Sequence, residues 1–131
     1  MKAQIIKSQE NGRNYGSEKE TIGTMSAVVN TREGMKEAVT VRFYMARRSD
    51  GASLVYCSIW IMGKGLYASG TGKAGGYGYH KRSAALQYAL DSAGVTLSEP
   101  IDGRGDSSMR DALEAVCRAL GYSGQVLIVE H

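Results

Sequence analysis

The sequence predicts an α+β fold, an antiparallel sheet (a meander of about three to five strands) with two helices packed on one face and a C-terminal strand. Three observations predict it. Alternating apolar and polar residues flank an Asp-Gly pair in the first half of the chain. Two stretches with apolar residues at helical spacing, each followed by a glycine, lie in the second half. The consecutive apolar residues 126–129 have the length of a strand and not of a helix.

A chain of 131 residues, 43% apolar and 22% charged, has the composition of an ordinary folded unit, so 1–131 is read as one α+β domain. Seventeen glycines against one proline favour tight turns and close backbone approach over stiff linkers. Residues 2–7 predict a short strand around Ile5 and Ile6. The polar stretch 8–20, with its Asn11-Gly12 turn signal, predicts a mobile loop or arm. Residues 21–30 carry Ile22, Met25, Val28 and Val29 and predict a strand, and 31–37 read as a charged connection around Gly34.

The next segment carries the clearest pattern. Val39, Val41, Phe43 and Met45 alternate with Thr40, Arg42, Tyr44 and Ala46, the period of a half-buried strand. Arg48-Ser49-Asp50-Gly51 supplies a turn, because Asp-Gly tolerates the positive φ of tight hairpins. Residues 54–62 return as a second strand, with Val55, Cys57, Ile59 and Ile61 on one face and Tyr56, Ser58 and Trp60 on the other. After Gly63-Lys64-Gly65, residues 66–69 predict a third strand. A helix over 81–93 aligns Ala85, Leu86, Ala89 and Leu90 and ends at Gly94. A second helix, capped at Ser107 or Ser108, aligns Met109, Leu113, Val116, Cys117 and Leu120 and ends at Gly121. The run 126–129 predicts a strand in the middle of the sheet or in contact with a second layer.

The net charge of +3 is modest, but its distribution is not even. No acidic residue lies between Asp50 and Asp91, a span that holds Lys64, Lys73, Lys81 and Arg82. Such polarity steers anionic partners. No apolar run approaches the roughly 20 residues of a membrane-spanning helix, and residues 1–25 lack the pattern of a cleaved leader. The expectation is a cytoplasmic protein with no membrane partner. Cys57 and Cys117 sit among apolar neighbours and read as buried free thiols. His80 and His131 stand at no ligand spacing to them, so no structural zinc is expected. Asp102, Asp106 and Asp111 read as a loop and a helix start, not as a metal cage.

The candidate functional surface is the basic, glycine-rich stretch 64–82, running into a helix. Gly72, Gly75, Gly76 and Gly78 let backbone N–H groups turn toward a ligand. The helix start adds unpaired donors and the positive end of its dipole. Lys64, Lys73, His80, Lys81 and Arg82 supply cations, and Tyr77 and Tyr79 lie within the loop. Cations at a helix N-terminus cost about 0.3–1 kcal/mol each, a local conflict that an anionic ligand would resolve. A phosphate or similar oxyanion fits all three features. The string contains neither the phosphate loop GxxxxGK[ST] nor a Rossmann fingerprint in a βαβ unit. Beside it, Arg42, Tyr44, Tyr56 and Trp60 share the outer face of the hairpin, where they form a stacking platform for bases or an anchor for a protein partner. No catalytic set of nucleophile, base and orienting group is visible.

Residues 39–94 resemble the second half of a double-stranded-RNA-binding domain: strands over 39–47, 54–62 and 66–69, then His80-Lys81-Arg82 opening a helix with Ala84-Ala85-Leu86. That resemblance implies that Lys81 and Arg82 grip phosphates. Residues 75–122 also resemble the cofactor-binding part of GNAT-type N-acetyltransferases. There Gly76-Tyr77-Gly78 before a helix and Gly121-Tyr122 after the next imply acetyl-CoA as cofactor. The leading expectation is a small, non-enzymatic nucleic-acid-binding protein with no cofactor. The alternatives are such an acetyltransferase, or a protein-binding inhibitor or adaptor of the kind that mobile elements use to block a host nucleoprotein complex.

Overall fold

The computed structural model describes residues 1–5, 19–47, 53–61, 66–70, 82–101 and 106–130. In chain order these form β1 (Ala3–Ile5), β2 (Lys19–Thr31), β3 (Gly34–Arg47), β4 (Ser53–Ile61), β5 (Leu66–Gly70), α1 (Arg82–Ser92), β6 (Val95–Leu97), α2 (Asp106–Ala119) and β7 (Val126–Glu130). The class is α+β, as the patterning predicts. Five strands form one antiparallel sheet in the order β5-β4-β3-β2-β7, and β1 pairs with β6 in a separate ribbon.

The β3–β4 hairpin keeps the inner and outer faces its alternation implies. Val41 faces Ile59 and Phe43 faces Cys57 on the inner side, while Arg42 faces Ser58 and Tyr44 faces Tyr56 on the outer. The segment 31–37 is not a connection. Thr31 pairs with Gly34 around a turn of Arg32 and Glu33, and β2 and β3 continue from there as one long hairpin. Gly34 adopts φ +109°, which a side chain would strain. The Thr31 hydroxyl donates to the Gly34 carbonyl at 2.9 Å and accepts the Glu33 N–H at 3.2 Å, closing the turn. Bulges at Ile22 and Ala38 interrupt the ladder, so Ala38 and Val39 are both buried. Lys19 and Glu20, read as the end of an arm, belong to β2.

Both helices cover the inner face. α1 lies over β4 and β5, burying Ala85, Leu86, Ala89 and Leu90, and α2 lies toward β2 and β7, burying Met109, Ala112, Leu113, Val116 and Cys117. α2 starts at Asp106, so Ser107 and Ser108 fall inside its first turn and not ahead of it. Its other end is a Schellman motif. Gly121 at φ +99° lets its own N–H reach the Arg118 carbonyl at 3.0 Å and the Tyr122 N–H reach that of Cys117 at 3.1 Å.

β7 corrects the expectation of an interior strand: it lies at the sheet edge, paired with β2. The short connection after α2 delivers the chain to the free side of β2, beneath the helix it has just left. Val126 and Ile128 turn inward against the core, and Leu127, on the outer face, is left 44% exposed. Arg110 bridges to Glu130 at 3.5 Å, tying α2 to this edge.

Candidate functional site

Lys64, Gly72, Lys73, Gly75, Gly76, Tyr77, Gly78, Tyr79, His80 and Lys81 lie outside the described residues, as do the turns at 48–52 and 62–65. The structure does describe both chain ends that flank 71–81, and these converge. Gly70, the last residue of β5, pairs with Cys57, and Cys57 pairs with Phe43. On the inner side, Arg82 at the start of α1 holds its guanidinium carbon 5.4 Å from the centre of the Phe43 ring. The two ends of the basic, glycine-rich segment therefore both engage one row of the sheet, Gly70 through its pairing with Cys57 and Arg82 through its side chain over Phe43.

By residue type Arg82 is a phosphate candidate. Its place over Phe43 gives it a cation–π contact that seats the helix start on the sheet. The first turn of α1 contains no acidic residue, so no carboxylate of that turn compensates the positive end of the helix dipole.

The outer face beside that row carries the second set of candidates. Arg42 is exposed and stands one residue from Phe43. Its Nε donates to the Thr21 hydroxyl at 2.8 Å, and Nη2 donates to the same oxygen, which aims the guanidinium along the sheet surface. Tyr44 and Tyr56 stack on one another, centroids 5.6 Å apart and planes 11° apart. Tyr44 is only 5% exposed and Tyr56 is half-buried, so this pair spends its ring faces inside the molecule. Trp60 differs, being 40% exposed opposite Thr40. The four residues thus divide into a packed pair and an exposed pair.

The thiols are structural. Burial drives the Cys57 thiol far above its ordinary range, and the group donates to the Ser58 carbonyl at 3.7 Å. Burial likewise pushes Cys117 up to about 11, with the Arg118 charge partly opposing it. Neither is ionised at neutral pH, so neither is a ready nucleophile. Among the described residues no group of three His, Cys, Asp or Glu could hold a metal ion, and no helix is long and apolar enough to cross a membrane.

Sequence reasoning missed Phe43 as the seat of Arg82 and Thr21 as the partner that orients Arg42. The second was within reach of the pattern, since the β2–β3 register follows once 31–37 is read as a hairpin turn. Comparisons of the chain with protein-family models, with curated proteins and with solved structures found no match.

Proposed function

We propose that the chain is a small, non-enzymatic nucleic-acid-binding protein that holds the phosphate backbone with its glycine-rich basic segment. One observation carries this reading: both ends of that segment are anchored at the sheet row next to exposed Arg42, on the side built from the acid-free span between Asp50 and Asp91. Backbone donors of a glycine-rich loop, lysines and a helix N-terminus then act on one anion, and Arg42 offers a further cation on the outer face of the same sheet row.

The strand pairing bears on the coenzyme alternative. β6, which follows α1, pairs antiparallel with β1 in a separate ribbon. The β5–α1–β6 passage thus forms no parallel βαβ crossover of the kind that commonly presents a coenzyme's pyrophosphate to a helix.

The test is the salt dependence of binding. Removing one phosphate-binding cation lowers the slope of log K against log salt by about 0.7–0.9. Lys73→Ala with Lys81→Ala is expected to weaken binding and to flatten that slope by roughly twice this amount, with the melting temperature unchanged. An unchanged slope sinks the phosphate assignment. Calorimetric titration with acetyl-CoA is the companion measurement, and heat from it without nucleic-acid binding would put the acetyltransferase reading first. Binding to neither would put the protein-binding adaptor first.

A further inference from the structure

The five-stranded sheet ends in two unlike edges. At one, β5 lies inside the span between Asp50 and Asp91, which holds Lys64, Lys73, Lys81 and Arg82 and no carboxylate. At the other, β7 runs Val126-Leu127-Ile128-Val129-Glu130, and β2 takes one side of it in five consecutive pairs without a bulge. Among the described residues no strand pairs with its other side, where alternate residues direct N–H and C=O groups away from the sheet. Open edges are ordinarily blunted by lysine, proline or a bulge, and β7 carries none of these. The charges around it are matched within the chain, Glu130 with Arg110 and Arg118 with Glu114.

We propose that β7 pairs antiparallel with β7 of a second copy of the chain, joining two five-stranded sheets into one across a twofold axis at Leu127. The strand is complementary to its own reversal. With the exposed Leu127 opposite its counterpart on the outer face, Val126 stands opposite Ile128 of the second copy on the inner face. The same register brings Glu130 opposite Gly124 of the second copy. Within each chain Arg118 donates to that Gly124 carbonyl, so the acidic end of one strand meets the basic corner of the other. Parallel pairing would set like ends together. A slip of one residue would set Leu127 opposite an inward-facing residue. Self-pairing through β5 is disfavoured by charge, because two acid-free flanks would meet there. The β7 pairing is isologous, so it closes at two copies. It lies at the far side of the sheet from β5, and it stands independently of the phosphate-binding reading.

The experiment is sedimentation equilibrium of the full chain, without nucleic acid, across the micromolar to millimolar range. The expected mass rises from that of one chain to that of two and stops there. Leu127→Lys sets like charges opposite each other at the axis and is expected to weaken self-association about tenfold or more. Its melting temperature, measured where the wild type is a single chain, stays unchanged because Leu127 is exposed. Leu127→Thr, which keeps strand propensity without adding charge, is expected to show a smaller loss. Leu127→Cys treated with oxidised glutathione is expected to give a disulfide-linked dimer. Directly opposed residues hold their Cα atoms about 4.5–5.5 Å apart, within the range of a disulfide, whereas Cys57 and Cys117 are buried. A single-chain mass at every concentration overturns the proposal and leaves the edge to a strand of another protein. Association that Leu127→Lys leaves at the wild-type strength overturns β7 as the interface, and a mass growing beyond two chains overturns the closed pair. A dimer that Leu127→Cys does not link overturns the register.

Discussion

The two flanks of the sheet are built on opposite plans. On the β2–β7–α2 flank, charges of both signs are paired: Arg110 ties α2 to Glu130 on β7, Arg118 meets Glu114 one turn back in the same helix at 3.2 Å, and Arg118 also donates to the Tyr122 carbonyl at 3.0 Å and to the Gly124 carbonyl. On the β4–β5–α1 flank no carboxylate interrupts the sequence until Asp91, in the last turn of α1. There the helix start is seated by a cation on an aromatic ring. A surface whose cations are neutralised by its own carboxylates has little left for an anionic ligand, whereas an acid-free one keeps its field. With the proposed function, the difference amounts to a division of labour: α2 and β7 as scaffold, and the flank of β4, β5 and the α1 start as the proposed ligand surface.

The largest expected effect tests the scaffold half. Leu113 is fully buried on α2 among residues of the common core. Leu113→Ala should destabilise the fold by about 2–5 kcal/mol. In denaturant titrations the midpoint falls, while nucleic-acid affinity measured where the variant is still folded stays at the wild-type value. The lysine pair Lys73 and Lys81 should behave in the opposite way, with weakened binding and an unchanged midpoint. If Leu113→Ala weakened binding while leaving the midpoint alone, the division of labour would be broken.

A smaller effect sharpens the same comparison at the end of α2. Gly121 has φ +99°, and the position where a Cβ would stand is open space. Gly121→Ala therefore meets no clash and carries only the conformational cost of the left-handed backbone, about 1–2 kcal/mol. The expected outcome is a modestly lower denaturant midpoint with binding unaffected. A neutral result would mean that the Schellman turn is replaceable and that Arg118, through its bonds to Tyr122 and Gly124, holds this corner alone.

Much of this arrangement was legible in the chain. The period-2 residues from Val39 to Ile61 gave the hairpin and its inner and outer faces, because Asp50-Gly51 marks where the alternation turns back. Gly94 and Gly121 marked both helix ends, since each takes positive φ where a helix must stop. What was not legible depends on partners distant in sequence. The strand character of 34–38 was hidden because Met35, Lys36 and Glu37 are all exposed and show no apolar alternation. The run 126–129 looked interior because it is apolar on both faces, and only its position after α2 sends it to an edge. Arg82 pointed by type to phosphate, and its seat on Phe43, on a strand far back in the chain, could not be read from spacing. The alternation put Tyr44 and Tyr56 on one face, but their stacking on each other and their withdrawal from the surface appear only in the fold.

The smallest effect at neutral pH concerns the two thiols, one on each flank, and it appears only in alkali. An unfolded cysteine ionises near pH ~8.5, whereas folded Cys117 keeps its proton to about 11 and Cys57, wholly enclosed, holds its proton further still. Above pH ~8.5 the unfolded chain has released protons that the folded chain retains, so unfolding is favoured as the pH rises. The stabilisation is complete below the unfolded value and is lost as pH climbs through the folded one. Melting curves between pH 7 and about 10.5 should fall for the wild type. They should fall less, and by nearly the same amount, for Cys117→Ala and for Cys57→Ala, each compared with its own value at pH 7 so that the cost of the cavity cancels. The other side chains are common to all three proteins, so the differences between the curves isolate the thiols. A variant whose curve falls as steeply as that of the wild type would mean that its thiol ionises in the folded chain as it does in the unfolded one. The core would then be open at that thiol, and the contrast between the flanks would extend from their surface charge to their interior.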